Sequence, residues 1–232
     1  MARAHSDLEI QLDISLAGCH CGGQIEQVGR ALVYHHNVPY AVVRLQCREC
    51  GVTAEREYDI SSYVDMGDTT QGPLNPTDEP SELLDIVQYG HLARFYLEFV
   101  QNGITDLQRD QAEGVLGLAT VSVEEAIKHL RGGMFPPPEA AFTPDRQMLL
   151  QANPDAFNRE NLDLFKEGIL QFANKLPAVY DILEQLTGDH QKDLQILDAM
   201  AARHKDDPIL HPQIGRIAKS LVIDEDLKQE KH

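Results

Sequence analysis

A chain of 232 residues, 42% hydrophobic and 25% charged, has the composition of a folded protein, with material for one large domain or two modest ones. Its net charge of −17 divides as −3 over residues 1–62 and −14 over residues 63–232, a field that repels phosphate backbones and anionic membranes. No apolar run reaches the roughly 18–20 residues that span a bilayer, and the residues after Met1 carry no signal-peptide core, so a cytoplasmic location without a membrane partner is expected.

The first predicted element is a strand. Leu8, Ile10, Leu12, Ile14 and Leu16 alternate with Glu9, Gln11, Asp13 and Ser15, the period of a sheet with one buried face. Next comes Cys19-His20-Cys21, trailed by Gly22-Gly23. A second strand is expected from Gln24 to about Tyr34 with a bulge at Gly29, then a hairpin loop at His35-His36-Asn37-Val38-Pro39. A third strand, Tyr40 to Cys47, delivers Cys47-Arg48-Glu49-Cys50 with Gly51 behind it. A fourth follows, with Ala54, Arg56, Tyr58 and Ile60 on one face.

Cys19, Cys21, Cys47 and Cys50 are the only cysteines of the chain. In a reducing compartment, two close pairs read as metal ligands before they read as disulfides. Each pair wraps one side of a tetrahedral ion, and the glycines let the backbone fold around the thiolates. One structural Zn2+ held by these four residues is the expected cofactor. A four-sulfur site leaves no open position for water or substrate, so no catalysis is expected there. His20, as a fifth candidate, suits a place beside the site better than a ligand position, and His35-His36 read as loop histidines.

This layout resembles a zinc ribbon over residues 8–62. Within that family, Val33-Tyr34, Val38-Pro39 and Cys47-Arg48-Glu49-Cys50-Gly51 are similar to the ribbon of YgiT/MqsA-type antitoxins. The resemblance implies a zinc-stabilised β module ahead of a DNA-binding domain. One departure stands out: ribbons place two residues between the cysteines of each pair, and here the first pair encloses His20 alone. Rubredoxin-like iron sites favour two intervening residues in both knuckles, which makes zinc the expected metal over iron.

Residues 64–79, rich in proline and glycine, read as a linker, and beyond them the apolar period changes to about 3.6. The expected organisation is an α+β protein: an antiparallel β zinc ribbon over 1–63, an acidic all-α domain over 80–223, and a frayed tail over 224–232. The first helix is expected from Pro80-Ser81 to Gly103, its stripe including Phe95, Leu97 and Phe99. A second runs from Thr105 to about Leu116 and a third from Ser122 to Leu130, with Gly117 in the turn between them. A short helix starts at Thr143-Pro144, a long one runs from Arg159 to Lys175, and Pro177 breaks or kinks it. Two more occupy 177–186 and 189–204, and a shorter one lies near 212–221.

Segment 110–130 can be read as a helix-turn-helix, but Glu124 and Glu125 stand where base edges would be met. No catalytic motif is present. Glu125 and His129 share a helical face and could bind a metal with Glu98, yet the second such pair of a di-metal bundle is missing. His91 reads as a core or boundary histidine, and His190, His204 and His211 have no shared spacing. The function expected from these residues is that of a non-enzymatic zinc-binding adaptor meeting a protein partner, one of basic character suiting its charge. The hairpin at His35–Tyr40 and the triple-proline loop are its candidate contact surfaces. The alternative is a transcriptional regulator touching DNA through the ribbon or residues 110–130, although nucleic acid is not the expected partner.

Overall fold

The computed structural model describes residues 2–62 and 74–229, with side chains through residue 223. It is a mixed α+β protein. Three strands, β1 (Ile25–His35), β2 (Val38–Cys47) and β3 (Thr53–Asp59), form an antiparallel meander in the order β1-β2-β3. The β1–β2 turn needs only His36 and Asn37, both with positive φ, so the hairpin is tighter than the five-residue loop expected. The register slips between Gln27 and Gly29, where the bulge was expected. Ala41, Val43, Leu45 and Cys47 alternate inward along β2 and are buried.

The segment expected to be the first strand is a helix, α1 (Asp7–Leu16). Local chemistry at its start overrides the period-two pattern. Ser6 is extended and its hydroxyl accepts from the Glu9 amide at 3.2 Å, while Asp7 and Glu9 place negative charge at the helix N-terminus. The Glu9 carboxylate turns back to accept from the His5 amide at 2.7 Å, much as in a capping box. Alternating apolar residues spread around a helix, and α1 is covered on more than one side. Ile10, Leu12 and Ile14 are buried, and Glu9 is 0% exposed. Asp13 ties α1 to β3 by accepting from Arg56 at 2.6 Å and from the Tyr58 hydroxyl at 2.7 Å. The Ser6 hydroxyl also donates to the Leu74 carbonyl. Ser6→Ala should therefore lower stability by about 1–2 kcal/mol in urea unfolding, and an unchanged midpoint would show that the cap does not hold α1.

The linker expected over 64–79 lies outside the described residues as far as residue 73. Beyond it, Leu74 and Asn75 are buried, and the Asn75 side chain donates to the Glu79 carbonyl at 2.7 Å and accepts from the Thr77 amide at 2.9 Å. The first long helix, α2 (Ile86–Gly103), begins later than expected. The Ser81 hydroxyl instead organises a turn before it, accepting from the Leu83 and Leu84 amides, each at 3.1 Å. Leu84, Ile86 and Val87 are buried as expected, whereas Phe95 and Phe99 are 59% and 48% exposed, and His91 is exposed rather than in a core.

No helix-turn-helix forms at 110–130. Residues Arg109–Lys128 are one helix, α3, and Gly117 lies inside it. Ala112, Leu116, Ala119, Val123 and Ala126 recur at spacings of three and four and are all buried, so one continuous apolar stripe holds the helix together across its glycines. It ends in turns carrying positive φ at Arg131 and Gly132.

Thr143 caps α4 (Pro144–Ala152) by accepting from the Arg146 amide, as expected. The next helix, α5 (Arg159–Leu183), passes through Pro177 without breaking. Its buried stripe of Leu162, Ile169, Phe172, Leu176, Val179 and Ile182 runs on both sides of the proline, and that packing outweighs one missing hydrogen bond. The segment expected as a separate 177–186 helix is thus the end of α5. Then follow α6 (His190–Arg203) and α7 (Leu210–Gln229), the latter extending well past the expected 221 and into the expected frayed tail.

The chain divides into two compact units. One comprises the residues up to His91 together with Val121–Leu162; the other comprises Leu92–Thr120 and the chain from Asp163 onward. In the first, Ser6 and Glu9 at the start of α1 bond Leu74 and Tyr89, and Lys128 at the end of α3 bonds the Asn75 and Thr77 carbonyls. In the second, Lys175 donates to Asp207 at 2.7 Å, the Tyr180 hydroxyl to the Leu107 carbonyl at 3.0 Å, and Gln213 to the Gln101 carbonyl at 2.8 Å. No described helix is long and apolar enough to cross a membrane.

Candidate metal centre

Two backbone knuckles at one end of the sheet bring the four cysteines together. In the first, Gly18 bridges Gln24, the Cys19 amide donates to the Gly23 carbonyl at 3.2 Å, and the Gly22 amide donates to the Cys19 carbonyl at 2.8 Å. In the second, the Cys47 amide donates to the Val52 carbonyl at 2.9 Å and the Gly51 amide to the Cys47 carbonyl at 3.0 Å. Gly51 has φ of 71°, a conformation that strains any side chain. The Arg48 amide donates to the Gln24 carbonyl at 2.9 Å and locks one knuckle to the other.

The four Sγ atoms lie within 4.8 Å of one another, and among the described residues this is the sole gathering of metal-ligating side chains. The short contacts cross between knuckles: Cys19 to Cys50 at 3.6 Å and Cys21 to Cys47 at 3.5 Å. A tetrahedral ion with metal–sulfur bonds near 2.3 Å requires sulfur–sulfur edges of about 3.8 Å. The thiols therefore stand at the spacing of one shared metal ion, each knuckle supplying two. The one-residue gap at His20 does not prevent the first pair from converging.

Packing and polarity around the sulfurs fit the same role. A Cβ on Gly23 would come within 2.4 Å of Glu49 Cγ and 2.8 Å of Cys47 Sγ, so only glycine admits this approach of the knuckles. The Gly23 amide donates to Cys21 Sγ at 3.4 Å. The Cys50 amide, and with it that of Glu49, draws the Cys47 thiol down to about 7 against the effect of burial. That moves it toward the thiolate a metal binds. Cys47 is buried, Cys19 half-buried, and Cys21 and Cys50 face solvent. His20 Nδ1 stands 3.5 Å from Cys19 Sγ, beside the cluster rather than within it. His35 is engaged elsewhere, 2.8 Å from Glu57.

A second polar constellation, buried in the same unit, was not legible beforehand. Glu9, placed on the solvent face of a strand by the alternation, is buried and accepts from the Tyr89 hydroxyl at 3.4 Å. Glu125 is buried beside it and accepts from Lys128 at 2.8 Å; Lys128 also donates to the Asn75 and Thr77 carbonyls at 2.8 and 2.7 Å. Burial raises the Glu9 carboxyl and pushes that of Glu125 up to about 7, against the pull of Lys128. His129 is 4% exposed, and burial lowers it to about 4. Asp85, also buried, accepts from Arg146 at 2.9 Å, from the Phe142 amide at 2.9 Å and from the Gln88 amide at 3.0 Å. Glu125 lies on α3 but His129 falls in the turn just after it, so the shared helix face expected of them does not form; both are buried, neither belongs to a metal-ligating group among the described residues, and Glu98 is exposed.

Compared with protein-family models, curated proteins and solved structures, the chain matches none at a significant level. The four converged thiols are consistent with the zinc ribbon expected over residues 8–62.

Proposed function

We propose that Cys19, Cys21, Cys47 and Cys50 hold one structural zinc ion and that the protein is a non-enzymatic adaptor that meets a protein partner through surfaces the metal helps to set. The observation that carries the zinc reading is the pair of cross-knuckle contacts at 3.5 and 3.6 Å within a four-thiol cluster. Soft thiolate donors in a tetrahedral arrangement suit Zn2+, and four of them complete its coordination. The metal's work is then to join the Cys19–Gln24 and Cys47–Val52 turns.

The adaptor reading draws on exposed apolar groups beside the expected contact loops. Leu32 and Tyr34 project from β1 next to the His36-Asn37 turn, and Met134 and Phe135 precede the triple proline. A net charge of −17 favours a basic partner. Affinity capture from native extract with the zinc-loaded protein tests this. The expected result is one stoichiometric protein partner whose capture is lost in a Leu32→Asp, Tyr34→Asp variant that keeps its zinc. Equal capture by that variant, or no partner at all, would contradict the reading.

A further inference from the structure

Each cross-knuckle contact pairs an outer cysteine with an inner one. Exposed Cys21 lies 3.5 Å, sulfur to sulfur, from buried Cys47, and exposed Cys50 lies 3.6 Å from half-buried Cys19. A cavity of about 760 Å³ opens against the two outer cysteines, with Gly22, Gly23 and Glu49 in its walls. Small solutes therefore have access to Cys21 and Cys50, and each of these has a second thiol close by on the opposite knuckle. Oxidation to a disulfide needs both features, an accessible sulfur to meet the oxidant and a neighbouring thiol to resolve the product.

The backbone favours pairing across the knuckles over pairing within them. A disulfide within the first knuckle would have to close over His20 alone. Across the gap, the Arg48 amide donates to the Gln24 carbonyl at 2.9 Å, and Gly23 lets Cys47 and Glu49 come close. The main chain thus holds the opposed sulfurs near one another without a bond between them.

We propose that a hydroperoxide converts the cluster into two cross-knuckle disulfides, Cys21–Cys47 and Cys19–Cys50, releasing the zinc while the knuckles stay joined. The release rests on the zinc reading above; the pairing does not. The Cys21 thiolate attacks a peroxide oxygen, the O–O bond breaks and hydroxide leaves, giving a Cys21 sulfenic acid. The Cys47 thiolate then attacks the Cys21 sulfur, the S–S bond forms and a second hydroxide leaves. Two solvent protons turn the hydroxides into water, and two electrons have passed from the sulfurs to the peroxide. Cys50 and Cys19 repeat the sequence with a second peroxide. No thiolate then remains for a metal, whereas the Cys19–Gln24 and Cys47–Val52 turns are tied covalently. A small thiol entering at Cys21 or Cys50 reverses each bond by exchange.

Zinc in the reduced protein is measured first, which reads the zinc proposal alone. Hydrogen peroxide is then added in excess, free zinc is followed with a chromogenic chelator, and remaining thiols are alkylated before non-reducing trypsin digestion. Trypsin cuts after Arg48 and separates Cys47 from Cys50; fragmentation between Cys19 and Cys21 assigns their partners. The expected result is loss of the whole zinc equivalent, Cys21–Cys47 and Cys19–Cys50 as the dominant linkages, and recovery of four thiols with dithiothreitol. The Gly22 and Gly51 amides should stay protected from hydrogen exchange in the oxidised protein and lose protection in reduced protein stripped of metal. Linkages within a knuckle, sulfinic acids in place of disulfides, zinc retained under excess peroxide, or unprotected Gly22 and Gly51 in the oxidised protein would overturn the proposal. Where the first measurement finds no zinc, the zinc reading fails and the disulfide map still decides the pairing.

Discussion

Cys47→Ser should release the metal and lower the stability of the first unit by on the order of 5 kcal/mol, among the largest effects a single substitution produces. Cys47 is the most buried of the four thiols, ends β2, and is paired with Ile25 at the start of β1. Losing it removes one corner of the cluster and leaves three thiols without the geometry a zinc ion needs. The damage should stay graded. The amides of Gly22, Arg48 and Gly51 bond only within and between the knuckles, and they should lose protection from hydrogen exchange. The sheet beneath them keeps Ile10, Val43 and Leu45 in its core, and Asp13 still holds Arg56 and Tyr58. Val43 and Leu45 should therefore stay protected. Global unfolding in Cys47→Ser would show that the metal holds the whole sheet, and unchanged protection at Gly22 and Gly51 would show that it holds nothing.

The second large effect is electrostatic. The Glu125 carboxyl sits at about 7 in the folded protein against an ordinary 4.5, so the folded state retains a proton that the unfolded chain releases. Its contribution to stability is complete below pH 4.5 and is lost as pH rises through 7. Glu9 acts in the same direction. His129 acts in the other: at about 4 against an ordinary 6.5, it stays neutral while the unfolded chain takes up a proton. Its contribution is complete above pH 6.5 and is lost as pH falls through 4. Each is worth up to about 3 kcal/mol across its window, and between pH 4.5 and 6.5 they oppose each other. Glu125→Gln removes one limb. Urea unfolding should show this variant gaining on the wild type by up to about 3 kcal/mol between pH 4.5 and 7, with no further gain above that. Parallel stability curves would mean that Glu125 is not held in its raised state.

The convergence of the four cysteines and most of the sheet were legible because short-range chemistry fixes them: cysteine spacing, trailing glycines, and alternation in β2 and β3. The failures share a cause, which is tertiary packing overriding a local pattern. Alternation from Leu8 to Leu16 forecast a strand, but a serine cap and coverage on several sides make it a helix. Gly117 and Pro177 forecast breaks, but Leu116 with Ala119, and Leu176 with Val179, are buried on continuous stripes that carry α3 and α5 through them. The burial of Glu9 and Glu125 gave no signal at all. Nothing local distinguishes a buried glutamate from a solvated one; only the long-range approach of Tyr89 to Glu9 and of Asn75 to Glu125 does.

Four cysteines from two knuckles are expected to share one zinc ion. Metal analysis of the purified protein combined with zinc X-ray absorption tests it most directly. One zinc per chain surrounded by four sulfurs at about 2.3 Å is the result expected. A protein purified under reducing conditions with four freely titrating thiols and no metal, or a zinc bound by nitrogen or oxygen in place of one of the sulfurs, would contradict it.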